Sequence, residues 1–229
     1  MKSLIFDAGP IISLATNNLL WILEPLKKEF NGRFCITDAV RRELVDKPLE
    51  TKRFKFEAIQ VERMIESNAL EVIDNSFIRE KTPALVDTAN EIFKAYNNYI
   101  KIVHFAEMSV IAAAINQGSD AVVLDEKTIR FLIENPKVIV EILRKTLHTP
   151  ISINENNLNE FKNNVKNIKT IRSIELVTIA YEHKLLDAYI TKIPDARKTL
   201  LESVLWGVKL NGCAVSREEI EKIIEIETK

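Results

Sequence analysis

Four carboxylate residues, widely separated along the chain, stand where a side chain could do chemistry. Asp7 and Asp125 each follow a short apolar run, and Glu43 and Glu107 each fall near the start of a helical pattern. Clustered carboxylates repel one another, and burying them unpaired is costly, so such a cluster favours a bound cation. Oxygen-only ligands suit Mg²⁺ or Mn²⁺, and two such ions can activate water for attack on a phosphodiester. The acids therefore indicate metal-dependent phosphodiester cleavage.

Each acid also has a structural interpretation. Asp7 could cap the helix that begins near Gly9, Asp125 could be a helix N-cap, and Glu43 could be a solvated surface acid. Glu107 is less easily explained in this way, because the residues three, four and seven positions further on are apolar and share its helical face. The hypothesis of a metal site therefore rests on the four acids taken together, and no one of them is sufficient evidence for it.

Short apolar strands alternate with helical patterns along the chain. Strands are predicted at 4–6, 33–36, 69–73 and 121–124, and helices at 52–67, 84–99 and 103–117. The helix at 52–67 is expected to bury Phe56, Ile59 and Met64, and that at 84–99 to bury Phe93 and Tyr96. This alternation predicts an α/β fold in which helices flank a central parallel sheet and the site lies beyond the carboxyl ends of the strands.

The chain divides into three predicted segments. Residues 1–133 form the catalytic core, and 134–166 form a helical insertion with a helix near 136–147 and an Asn-rich stretch. Residues 167–229 complete the same domain with a last strand and three C-terminal helices, the final one begun by a capping box of Ser216 and Glu219.

The net charge is −1, from 32 Lys and Arg against 33 Asp and Glu, so no global basic field would attract nucleic acid. Any nucleic-acid contact must then use local basic patches. The candidates are Lys47, Lys52, Arg53, Lys169 and Arg172. Solvated charged faces explain the same residues.

Several other classes of protein find no support. Cys35 and Cys213 have neither zinc-site nor disulfide-framework spacing, and no Gly-rich phosphate loop is present. Asp7 interrupts any signal peptide, and no apolar run reaches the ~20 residues of a membrane span. A cytoplasmic protein without membrane contact is expected. His104, three residues before Glu107, could share a metal with it or simply be a solvated histidine at a helix start.

Four segments together resemble the motifs of the PIN-domain family. Phe6–Ala15 is similar to the opening of a PIN domain, and Cys35–Leu44 to its second strand and the helix with the second acid. Ala106–Ala114 resembles the segment with the third acid, and Val122–Glu126 the segment with the fourth.

The resemblance implies a three-layer PIN-like fold and an endoribonuclease that cleaves single-stranded RNA with Mg²⁺ or Mn²⁺. It makes Asp7, Glu43, Glu107 and Asp125 the catalytic residues, with Asp7, Glu107 and Asp125 as metal ligands. Many small members are toxins of toxin–antitoxin pairs, which implies an antitoxin protein as a partner. Glu107 stands where most PIN domains have Asp, and the insertion is a second departure. The alternative is a catalytically silent PIN-like module that binds RNA or protein.

A homodimer is expected from the apolar C-terminal helices. Leu200, Leu201, Leu205 and Trp206 offer a hydrophobic surface larger than one domain needs. The spacing of Leu201, Leu205 and the apolar residue at 208 equally fits a helix packed onto its own domain.

Overall fold

The computed structural model describes residues 2–229, which contain eight strands. They are β1 (Ser3–Phe6), β2 (Arg33–Thr37), β3 (Glu71–Ile73), β4 (Phe93–Ala95), β5 (Asn98–Tyr99), β6 (Ala121–Val123), β7 (Ile151–Ile153) and β8 (Thr170–Ile171). Five of them form a parallel sheet in the order β3-β2-β1-β6-β8, and three form an antiparallel sheet in the order β5-β4-β7.

Thirteen α-helices connect and cover these strands in the described chain. They are α1 (Ala8–Thr16), α2 (Leu23–Phe30), α3 (Asp38–Arg41), α4 (Lys47–Glu50), α5 (Lys55–Glu66), α6 (Ser76–Asn90), α7 (Phe105–Gln117), α8 (Lys127–Glu134), α9 (Pro136–Leu147), α10 (Glu155–Val165), α11 (Ser173–Glu182), α12 (Ala196–Leu210) and α13 (Arg217–Glu227). Short 3₁₀ turns lie at Leu20–Ile22 and Leu185–Tyr189, and a π-helical turn at Arg42–Asp46 links α3 to α4.

The strand order of the parallel sheet changes direction between β1 and β6. All four residues of β1 are buried, and Leu4 is in register with Phe34 of β2 on one side and with Ala121 of β6 on the other. The chain moves outward from β1 to β3 and then returns to β6, so β1 and β6 flank the topological switch point. In open α/β sheets, ligands bind beyond the carboxyl ends of the strands at this point.

Helices cover both faces of the parallel sheet. Helix α7 packs against β1, β2 and β6 and contacts α6 and α10, whereas α1 contacts α5, α11 and α12. Right-handed crossovers explain why α1 and α7 lie on opposite faces. Strand order runs one way along the sheet from β1 to β3 and the other way from β3 to β6, so the connecting helices fall on different faces. Residues Met108–Ala114 are all buried, which explains the continuous apolar sequence of α7. The predicted three-layer α/β fold is confirmed.

The predicted helix at 84–99 is wrong beyond residue 90. Helix α6 ends at Asn90, whose side-chain Oδ1 accepts hydrogen bonds from the N–H groups of Ile102 (2.7 Å) and Val103 (3.0 Å). The chain then forms the β4–β5 hairpin, with Phe93 buried and Tyr96 exposed in a left-handed turn conformation. Tyr96 is therefore a turn residue and not part of the core.

The helix predicted at 52–67 exists in part but is rotated from the expected phase. Helix α5 begins at Lys55, after Phe54 adopts a left-handed backbone conformation. Ala58 and Val61 are buried, whereas Phe56 and Ile59 are exposed. The prediction placed the large apolar residues in the core, but the smaller side chains of Ala58 and Val61 face it instead.

Residues 134–166 contribute a strand to the antiparallel sheet. Helix α9 lies close to the predicted helix, and β7 completes the antiparallel sheet by pairing with β4. The N–H of Asn154 donates to the carbonyl of Ile92 at 2.7 Å. None of the helices in residues 2–229 has the length and apolarity needed to cross a membrane.

The C-terminal helices bury their apolar stripe within the chain. Leu201, Leu205 and Val208 of α12 have no exposed surface. The packing of α12 against α1, α11 and α13 accounts for their spacing. Leu201 and Leu205 are therefore core residues, and the expectation that they form a dimer surface is wrong.

Candidate active site

Asp7 lies at the switch point of the parallel sheet. It follows β1 directly, and its N–H donates to the carbonyl of Val123 in β6 at 3.0 Å. The residue is only 6% exposed. Burial raises the pKa of Asp7 to about 6; the N–H groups of Ala8 and Gly9 oppose this rise, and the charges of Glu43 and Asp125 add to it. Asp7 is thus an acid kept in an environment that disfavours its charge.

Gly9 lies close to both Asp7 and Asp125. A β-carbon at position 9 would lie 3.5 Å from Cβ of Asp125 and 3.8 Å from Oδ2 of Asp7. Both acids therefore lie beside the first turn of α1. A β-carbon at position 9 would make only ordinary contacts with them, so the space there accepts a methyl group and does not require glycine.

Asp125 is held by two serines and is 2% exposed. Its Oδ1 accepts the N–H of Ser173 at 2.8 Å, and its Oδ2 accepts the hydroxyls of Ser173 at 2.7 Å and Ser13 at 2.9 Å. An ionised carboxylate has about four acceptor positions. Three are filled here, so Asp125 has about one position left, on Oδ1, for another ligand.

Glu126, not Asp125, caps the helix that follows β6. Its carboxylate accepts the N–H groups of Thr128 and Ile129 of α8 at 2.5 and 3.0 Å. This replaces the alternative interpretation of Asp125 as an N-cap. Glu126 is also near enough to act on Glu107 by charge.

Glu107 lies in the first turn of α7 and is partly buried. Its Oε2 accepts the backbone N–H of His104 at 2.6 Å, which fixes the orientation of the carboxylate. Burial raises the pKa of Glu107 to about 7, against the effect of that N–H, and the charges of Asp7, Glu126 and Glu43 add to the rise. The contact with His104 is made by its backbone.

Glu43 lies in the π-helical turn Arg42–Asp46, a type of turn often found at functional sites. Its side chain is exposed and pairs weakly with Lys47, at 3.7 Å. Because its charge raises the pKa of both Asp7 and Glu107, it lies within electrostatic reach of each. The fold thus brings all four predicted acids to one edge of the sheet.

The three more buried acids have no cationic side chain as a partner. Within residues 2–229, no Lys, Arg or His forms an ion pair with Asp7, Glu107 or Asp125. Elsewhere the protein does pair its partly buried acids, as when Lys27 and Arg33 both contact Glu71. The cluster at the switch point of the sheet therefore has no cation among the described residues to balance its carboxylates.

The donor chemistry of the cluster fits a hard divalent cation. In the described part of the chain, no three Asp, Glu, His or Cys side chains are gathered closely enough to enclose a metal ion as they stand. Mg²⁺, however, keeps several waters and is usually bound through only one or two carboxylates. Asp7 and Glu107 supply such oxygens, and Asp125 has about one free position.

Sequence reasoning missed three residues of this site, Ser13, Ser173 and Glu126. Ser13 lies on the inner side of α1, and Ser173 begins α11, far from Asp125 in sequence. Of the three, only Glu126 gave a signal in the sequence, because it is an acid directly after Asp125. Serines have no periodicity or spacing that distinguishes a buried partner from a surface residue.

The predicted RNA-binding residues are placed differently from one another. Lys47 borders the acidic cluster through Glu43, and Lys52 and Arg53 are exposed in the bend before α5. Lys169 is exposed just before β8, on the amino side of the strand. The Arg172 side chain is only 12% exposed, with its guanidinium bound to two glutamates, so the structure gives it a structural role.

Comparison with known families agrees with this geometry. The family model described as PIN domain matches residues 3–141, and the chain therefore belongs to the PIN-domain family. PIN domains are generally nucleases and typically use divalent metal ions. Comparisons with curated proteins and with solved structures gave no significant match.

Proposed function

We propose that this PIN domain is a metal-dependent endoribonuclease that cleaves single-stranded RNA at the carboxyl edge of its parallel sheet. The observation that carries the proposal is the cluster of Asp7, Glu107 and Asp125, which is held at the switch point without a cationic partner among residues 2–229. Its charge is balanced best by a divalent ion from solution.

Each acid has a distinct role in this proposal. Asp7, Glu107 and Asp125 would hold Mg²⁺ or Mn²⁺, and the bound ion would supply the positive charge that activates water and neutralises the phosphodiester. The His104 N–H orients Glu107, and the two serines orient Asp125. Glu43, the most exposed of the four, contributes negative charge at the entrance to the cluster. Single-stranded RNA is the proposed substrate, and the likeness to the PIN-domain family supports it.

Two partners complete the proposal. An antitoxin protein that binds this chain follows from the toxin-like character of small PIN domains, and a homodimer is the proposed state of assembly. Neither is needed for the chemistry of the acid cluster, which lies within one chain. Cytoplasmic localisation belongs to the same proposal, since an RNA-cleaving enzyme needs access to RNA.

Cleavage of end-labelled single-stranded RNA tests the activity. We expect cleavage with Mn²⁺ that is abolished by EDTA and reduced at least ~100-fold in Asp7→Asn and Glu107→Gln, since each change removes a carboxylate that stabilises the transition state through the metal. Asp120→Asn is the matched control, because Asp120 precedes β6 at the opposite edge of the same sheet, where it accepts the N–H of Ser3. RNA binding without any cleavage by the wild type would establish the silent module instead.

A further inference from the structure

A cavity of about 470 Å³ lies directly beside the acidic cluster. It is formed after the end of β2, between the start of α6 and the start of α7. Its lining includes Thr37, Arg42, Glu43, Ile78, Phe105 and Ala106. The volume falls within the range of pockets that hold small ligands. Glu43 belongs to both the cavity and the acidic cluster, so a ligand in the cavity would lie next to the proposed reaction centre.

Phe105 is an aromatic side chain left open to this cavity. It is the first residue of α7, two residues before Glu107, and it is 53% exposed. Within residues 2–229 its ring pairs with no other aromatic side chain. Ile78 and Ala106, both buried, supply further apolar wall. An exposed aromatic ring beside apolar wall offers a stacking surface for a flat ligand.

The hydroxyl groups in the cavity floor already donate their protons to other groups of the protein. Ser109 donates to the carbonyl of Ala106 at 2.5 Å, and Thr82 donates to the carbonyl of Ile78 at 2.6 Å. Thr37 lies 2.7 Å from the Ser109 hydroxyl, which leaves Thr37 as the donor in that pair. All three residues are buried. The floor therefore has no hydroxyl proton left to donate to a ligand.

The rim of the cavity carries cations that are held only by exposed ion pairs. They are Arg42 with Asp38 at 2.9 Å, Lys47 with Glu43 at 3.7 Å, and Arg79 with Asp74. Exposed pairs of this kind contribute little to stability. Their cations can exchange the carboxylate for a phosphate at small cost, and Arg is well suited to bind phosphate.

We propose that this cavity binds a nucleoside of the RNA strand next to the bond that is cut, with its base stacked on Phe105 and its phosphate on the rim cations. The inference rests on the proposed ribonuclease function and adds a substrate subsite to it. Every base has a flat face that can stack on an aromatic ring, so the subsite accepts any base. A strand that fills it passes Glu43 and reaches the acids around Asp7.

The test measures kcat/KM for single-stranded RNA and for the same RNA with one abasic nucleotide moved along the strand. In the wild type, the abasic nucleotide should lower cleavage of one neighbouring bond about tenfold, whichever base it replaces. Phe105→Ala should lower kcat/KM about tenfold on intact RNA and remove the effect of the abasic position. Phe105→Tyr should keep the wild-type kcat/KM on intact RNA and the effect of the abasic position. Tyr96→Ala is the matched control, because Tyr96 is an exposed aromatic residue that lies outside the cavity.

The outcomes separate the subsite from the activity. If the wild type cleaves no RNA, the proposed function fails and the subsite fails with it. If the wild type cleaves RNA with no penalty at any abasic position, or if Phe105→Ala cleaves as well as Tyr96→Ala, only the subsite is overturned. The abasic scan uses the wild-type protein alone, so it tests the subsite even if the Phe105→Ala variant does not fold.

Discussion

Ser173 holds Asp125 with two hydrogen bonds, from its N–H to Oδ1 at 2.8 Å and from its hydroxyl to Oδ2 at 2.7 Å. Ser173 is the first residue of α11 and lies outside the segment 3–141 that matches the family model. The first N–H groups of a helix have no partner within the helix and attract anions. The N–H of Ala214 also donates to the Asp125 carbonyl at 3.0 Å. The C-terminal part of the chain therefore supports the acidic cluster.

Ser173→Ala should lower the free energy of unfolding by roughly 1–2 kcal/mol, because it removes one hydrogen bond to a buried carboxylate and leaves the backbone bond in place. We expect kcat for RNA cleavage to fall about tenfold while KM changes little, since Asp125 loses its fixed orientation. Ser173→Thr keeps the hydroxyl and should restore most of the activity. Equal kcat in the alanine variant and the wild type would show that Asp125 needs no such support.

The metal-free protein should lose stability as the pH rises from about 4 to about 7. The pKa values of Asp7 and Glu107 are raised in the folded state to about 6 and about 7. In this interval the folded protein keeps protons that the unfolded chain releases, so stability is highest below the unfolded pKa values and falls as pH rises through the folded ones. For Asp7 alone the loss amounts to at most roughly 3 kcal/mol.

Urea denaturation in EDTA at several pH values measures this dependence. Asp7→Asn should flatten it and should be more stable than the wild type at pH 8, because the amide has no charge to bury. Mn²⁺ should stabilise the wild type more at pH 8 than at pH 5, since the carboxylates must be ionised to bind the ion. A wild type that is more stable in EDTA at pH 8 than at pH 5 would contradict the assignment.

Gly9→Ala should fold and retain Mn²⁺ binding, whereas Gly9→Val should lose most of it. A single β-carbon at position 9 makes only ordinary contacts, at 3.5 Å to Asp125 and 3.8 Å to Asp7. The additional methyl groups of valine must push the two acids apart. Titration calorimetry with Mn²⁺ compares the variants, and circular dichroism checks that both are folded. Equal affinity in the two would show that the ion does not use the space between these acids.

Arg172→Ala should destabilise the protein by roughly 1–3 kcal/mol, because its guanidinium contacts Glu175, Glu219 and the carbonyl of Ala214. Lys169→Ala should leave stability unchanged, since Lys169 is exposed. Thermal unfolding measures both variants. The salt dependence of RNA binding should be the same in Arg172→Ala as in the wild type; a reduced slope would restore Arg172 as a phosphate contact.

The proposed homodimer must use a surface other than Leu201 and Leu205. We take the exposed apolar residues Phe54, Phe56 and Ile59, just before and within the first turns of α5, as the candidate surface. Light scattering at micromolar concentration should give twice the chain mass of 26.2 kDa, and Phe56→Glu should return it to the mass of one chain. A wild-type mass near 26.2 kDa would reject the dimer.

The sequence by itself determined which acids could form a site, because strand-ending acids and helix starts are local features. Asp7 and Asp125 follow short apolar runs, and the alternation of strands and helices requires a parallel sheet whose carboxyl ends meet at one edge. Their common location could therefore be predicted without coordinates. Local patterns were less reliable where chain reversal overrides helical spacing, as at Asn90, whose side chain ends α6 and starts the turn into β4.

The tertiary structure alone decided how the acids are held and how much of their charge is buried. Ser13 and Ser173 meet Asp125 from positions 112 and 48 residues away, and no local pattern encodes such a contact. The raised pKa values of Asp7 and Glu107 arise first from burial, which depends on the packing of α1 and α7. No local pattern distinguishes Phe105 from other apolar residues at helix starts, and only the tertiary structure places its ring beside a cavity.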